Sequence, residues 1–144
     1  STGGFGNLLT VSSGTGDANV PTGTDLKDTT RAYTKQQTAT MVPLGFDGTT
    51  TEWDMDAKQT ANLYMTGDVT TINMTGHVTG GTYILKIQQG AGGPHTVTNW
   101  DASNIVKWPG GDAPVLSTGT SNVDIITLLS DGTDLYGVGS LNLI

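Results

Sequence analysis

His77 and His95 are the only histidines among the 144 residues, and so the only side chains with an ordinary pKa near neutrality. A nucleophile–base pair needs such a ring within hydrogen-bond reach of a Ser or Thr hydroxyl. His77 lies in Thr75-Gly76-His77-Val78, and His95 follows Pro94 in a Gly-rich loop, so both read as exposed turn or strand-end residues. No Gly-x-Ser-x-Gly elbow is present, nor a phosphate-cradling Gly loop followed by Lys and a helix. Cys is absent, which removes a thiol nucleophile, a thiolate zinc site and a disulfide framework.

Paired carboxylates are the next chemistry to weigh. Asp54 and Asp56 are two residues apart, and on one strand they would face the same side. Glycoside hydrolysis needs two carboxyls about 5–9.5 Å apart, but nothing else here marks a sugar cleft. Asp131 and Asp134 bracket a turn and read as turn geometry. Asp54, Asp56 and Asp68 are calcium-type ligands without the spacing of an EF-hand loop. We therefore expect no catalytic residue, metal or cofactor. The four methionines (Met41, Met55, Met65, Met74) read as gap-fillers in a core.

Three tryptophans invite a carbohydrate reading, because sugars stack on exposed rings while Asp and Asn take their hydroxyls. Trp53 and Trp108 read as core or subunit contacts, the common fate of Trp in a β-domain. Trp100, between Asn99 and Asp101 at a loop, is the ring best placed to face solvent, with the core as the competing place. Asn99, Trp100 and Asp101 are thus the candidate glycan contacts.

These residues must be positioned by strands. From about residue 39 the pattern is short apolar runs separated by turn signals every 8–12 residues. The runs are 41–44, 50–54, 62–66, 69–74, 82–88, 95–100, 104–108, 122–129, 135–138 and 141–144. Tyr83, Leu85 and Ile87 alternate with polar residues, the period of a half-buried strand. Gly67-Asp68 between two runs signals a hairpin. No window shows helical apolar spacing, and the 26 Thr residues favour strands over helix interiors. The expected fold is all-β, an antiparallel β-sandwich or jelly-roll-like barrel over residues 39–144. The apolar end, Leu141 to Ile144, is expected to be paired in the sheet or buried at an oligomer axis.

Residues 1–38 differ. Ser1 to Thr30 is mostly Gly, Thr, Ser, Asn and Asp with isolated apolar residues, too few to offset backbone entropy on their own. Residues 1–38 read as an extended arm or linker, with Phe5, Leu8 and Leu9 as its anchoring piece. Net charge is −7, from 13 acidic and 6 scattered basic residues, which disfavours nucleic acid as a partner. The apolar runs are far shorter than the ~18 residues of a membrane helix, and no secretory signal pattern opens the chain.

Several segments then stand in a familiar order. They are Tyr83-Ile84-Leu85-Lys86-Ile87-Gln88-Gln89-Gly90, Val106-Lys107-Trp108-Pro109-Gly110-Gly111-Asp112-Ala113-Pro114, Asp124-Ile125-Ile126 and Asp131-Gly132-Thr133 with Tyr136-Gly137. With Thr34-Lys35-Gln36-Gln37 and Trp53-Asp54 upstream, residues 35–144 resemble a β-domain of structural proteins of tailed bacteriophages, found in tail fibres and on virion surfaces. The resemblance implies a non-enzymatic β-sandwich, a homotrimer, at the virion surface after assembly in the host cytoplasm. A domain almost alone behind a short arm favours a capsid decoration or head-fibre protein whose partners are other virion proteins. The alternative is a tail-fibre or spike tip that binds host surface glycans.

Overall fold

The computed structural model describes residues 38–46 and 48–144. The arm expected over residues 1–38, with Phe5, Leu8 and Leu9, lies outside the described residues except for Thr38. The described chain is strand-rich: β1 (Met41–Pro43), β2 (Thr50–Asp54), β3 (Thr60–Met65), β4 (Val69–Thr75), β5 (Thr82–Gln89), β6 (Val97–Trp100), β7 (Val106–Lys107), β8 (Val123–Ser130) and β9 (Leu135–Leu143). The one helical element among them is a 3-10 turn at Pro109–Gly111, where Gly110 has φ +72°. The runs expected at 135–138 and 141–144 join into the single strand β9.

Strand direction departs from expectation. The sheets are mixed, and five of the seven pairings among described strands are parallel. One sheet has the order β1-β3-β5-β8-β9-β7 and the other β2-β4-β6. From β1 to β6 the chain alternates between the sheets, and each strand lies parallel to the one two places earlier. Each pair of strands is therefore one coil, stacked on the coil before it. The parallel crossover that normally needs a helix is here a strand of the other sheet. The two antiparallel pairings are β5 with β8 and β8 with β9, while β9 runs parallel to β7 on its other side.

The expected hairpin at Gly67-Asp68 is consequently a corner. β3 and β4 lie in different sheets and do not pair. The reason is a contact that local sequence does not carry. Asp68 Oδ1 accepts the Thr96 amide at 2.8 Å and the Thr96 hydroxyl at 3.2 Å, from a corner 28 residues later. The opposite corners stack in the same way. Met55 N donates to Thr75 O at 2.8 Å, and Asp101 N donates to Ile72 O at 2.9 Å.

One core serves both sheets. Trp53, Val69, Ile72, Met74 and Trp100 come from the smaller sheet, and Leu63, Met65, Leu85, Ile87, Ile126 and Leu128 from the larger. Trp53 meets Tyr83 edge-on, with ring centroids 6.5 Å apart. Each such side chain contributes roughly 1.5–3 kcal/mol when fully buried. The strict in–out alternation of β3, β5 and β8 is what selects these residues. Leu141, Leu143 and Ile144 stay exposed, although β9 is paired with β8 through Leu143.

Candidate functional site

β6 and the segment that follows it place the candidate glycan residues, and they part them. Trp100 ends β6 and is only 6% exposed, so the ring belongs to the core rather than to the surface. Its partner is the half-buried Trp108, edge-on at a centroid distance of 5.2 Å. Asn99 takes the opposite face of the strand and is exposed, its Nδ2 donating weakly to Thr71 Oγ1 at 3.5 Å. Asp101 turns inward with φ +78°, the left-handed region that Asp tolerates better than most residues. It is buried, and its carboxylate accepts Met74 N at 2.9 Å and Ser103 N at 2.7 Å. Asp101 thus holds the corner closed and offers no oxygen to a ligand.

A polar groove of about 310 Å³ nevertheless opens beside the tryptophan pair. Thr98, Asn99, Asn104, Trp100 and Trp108 are among its lining residues. Asn104, with φ +56°, was not legible as a site residue; its left-handed backbone is set by a turn in which its N–H donates to Asp101 O. The arrangement brings two amide side chains and two tryptophans around one concavity. A second, apolar cleft of about 320 Å³ lies between Pro94, Val97 and the Pro114–Leu116 segment.

The titratable groups hold structure. His95 was expected at the surface but is buried, because the main chain on both sides of its ring is clamped. Gln89 Oε1 accepts its N–H at 3.0 Å, and Gln89 Nε2 donates to its carbonyl at 2.8 Å. His77, half-buried rather than exposed, has Nδ1 2.7 Å from Ser130 Oγ. That pair has nucleophile–base spacing, but Ser130 is 2% exposed and its hydroxyl also accepts Gly132 N–H at 3.0 Å, which fits a turn anchor. Asp54 ends β2 and Asp56 lies in the turn after it; Asp54 Oδ1 accepts Asp56 N at 3.2 Å, so the two do not share a strand face. Asp68 is at the opposite corner, and among the described residues no three of His, Asp and Glu gather as metal ligands.

Asp131, like the buried Asp124, is a carboxylate that three donors meet. It accepts Thr133 N at 2.9 Å, Asp134 N at 2.7 Å and the Tyr136 hydroxyl at 3.0 Å. The Asp134 amide first, then the Thr133 amide and the Tyr136 hydroxyl, hold its carboxyl below the ordinary value. The same hydrogen bond raises the Tyr136 phenol above its ordinary value. Both groups are exposed, and the cluster serves the β8–β9 turn. Comparison of the chain with protein-family models, with curated proteins and with solved structures finds no match.

Proposed function

We propose that the protein is a non-enzymatic structural component of a tailed-bacteriophage virion, a capsid decoration or head-fibre protein. It would take a sandwich-like β-domain, in several copies, to the particle surface and attach through its N-terminal arm. The observation that carries this reading is the sharp change at about residue 38. Before it the sequence is Gly- and Thr-rich with isolated Phe5, Leu8 and Leu9; after it comes a strand-rich unit with its own core. Within that unit Asp68, Gln89, Asp101, Asp124 and Asp131 each bond to backbone groups at corners and turns, as a scaffold requires. Joining several copies would bring several arms to one surface, so that weak arm contacts add through effective concentration.

Deletion of residues 1–30 tests the attachment. The truncated protein is expected to lose occupancy on purified capsids while its circular dichroism stays that of a β protein. Unchanged occupancy would remove the arm as the anchor.

The groove beside Trp100 and Trp108 favours one second reading, a module that binds host surface glycans. Asn99 is its exposed polar contact, and Asn99→Ala removes an amide without touching the core. On a glycan array the wild type would mark a ligand and Asn99→Ala would weaken it several-fold. An array blank for the wild type would leave the structural reading alone.

A further inference from the structure

The larger sheet has two faces, and only one of them packs on the core. On β3, β5, β8 and β9 the positions between core residues point away from it. Tyr64, Ile84, Leu129, Tyr136 and Val138 are 51%, 36%, 51%, 48% and 56% exposed. The register sets them in rows: Leu129 lies opposite Tyr136, and Thr127 lies between Ile84 and Val138. Val123 and Ile125 on β8 share this face, with Leu143 beside Val123. The polar residues of this face are Thr60, Asn62, Thr82, Gln88, Thr127 and Ser140, and its charged side chains are Lys86 and, on β7 beside Tyr136, Lys107, which pairs with Asp134 at 3.4 Å.

A chain of net charge −7 repels its own copies unless they meet where carboxylates are missing. Among the described residues the acidic side chains sit elsewhere. Glu52 and Asp54 are on the smaller sheet, Asp56, Asp68 and Asp112 are in corners and loops, and Asp131 and Asp134 mark the rim at the β8–β9 turn. Asp124 is buried, bonded to Ser117 and to the Asn142 amide. The face therefore carries no carboxylate of its own, and its Thr and Gln side chains can donate and accept alike. Four strands about 4.8 Å apart and some eight residues long give a footprint of roughly 500 Å² per copy, about 1,000 Å² for a pair. That reaches the lower bound for a specific interface, about 1,000 Å² in total.

We infer that this face packs against the same face of a second copy of the chain. The inference deepens the multi-copy reading above, but the two are tested apart: association is read in solution and attachment on particles. Sedimentation of the full chain is expected to give a multiple of the single-chain mass. The pair Leu129→Glu and Val138→Glu brings like charges onto the face and should return the single-chain mass with an unchanged β spectrum. Val115→Glu, at a site 84% exposed and outside the face, should keep the multiple. A wild type of single-chain mass, or a folded face variant that keeps the wild-type mass, overturns the proposal.

A second readout does not depend on those variants folding. The chain is free of Cys, so Thr127→Cys places one thiol within the face and Val115→Cys one outside it. Labelling of the first is expected to slow several-fold as protein concentration rises, while labelling of the second stays constant. Labelling at residue 127 that stays as fast as at residue 115 at every concentration overturns the proposal.

Discussion

Asp131 shows how far one residue can be read and where reading stops. Asp-Gly marks a turn, and a turn is what residues 131–134 form, with Gly132 at φ +94°. The Tyr136 hydroxyl as a third donor depends on how β9 leaves the turn. The consequences for pH have definite signs. The Asp131 pKa is lower in the folded chain, so its contribution to stability is present above the unfolded carboxyl value and is lost as pH falls through the folded one. The Tyr136 pKa is raised, so its contribution is present below the unfolded phenol value and is lost as pH rises through the folded one. In Asp131→Asn the Tyr136 phenol should titrate closer to its ordinary value of 10.0, read by phenolate absorbance with Tyr136→Phe identifying the signal. An unmoved titration would mean that the hydroxyl does not bond to Asp131 in solution.

At the scale of elements, existence and direction come from different sources. Period-2 alternation marks β3, β5 and β8 because each has one buried face, and that holds whichever way a neighbour runs. Direction is decided at the corners. Gly90 is one of them: its N–H donates to Met65 O at 2.9 Å, and a Cβ there would run into that carbonyl oxygen and the Tyr64 ring. Gly90→Ala should cost about 1–3 kcal/mol, as other overpacked sites do, measured by urea unfolding. Gly45→Ala, where a Cβ meets nothing within 4 Å, should stay within about 0.5 kcal/mol. Equal effects at the two sites would count against the tight corner between β3 and β5. Gly67-Asp68 forms a corner rather than a hairpin for the same reason: the dipeptide marks a reversal, but its partner is Thr96 on the next coil. The candidate site has a similar history. Asn99 is where alternation puts it, whereas Trp100 is held in the core by Trp108 and Asp101 is turned inward onto Met74.

For the molecule as a whole, the capsid-occupancy and solution-mass experiments bear on separate parts of the chain, the first 30 residues and the outer face of the larger sheet. Amino-acid order alone determined the strand-rich character, the break near residue 38, the inward residues of β3 and β5, and most turn positions. Each of these is set within a few residues, by side-chain alternation or by Gly and Asp chemistry. Only the tertiary structure decided that successive strands climb in parallel coils between two sheets, that Trp100 and Asp101 are interior, and that Asn104 joins Asn99 at one groove. It also decided that a partly apolar face without carboxylates is left on the outside of the larger sheet. These features rest on contacts between residues some 20 to 30 positions apart, such as Asp68 with Thr96 and Asp101 with Met74. The short-range patterns of the chain are the same whether or not those contacts form.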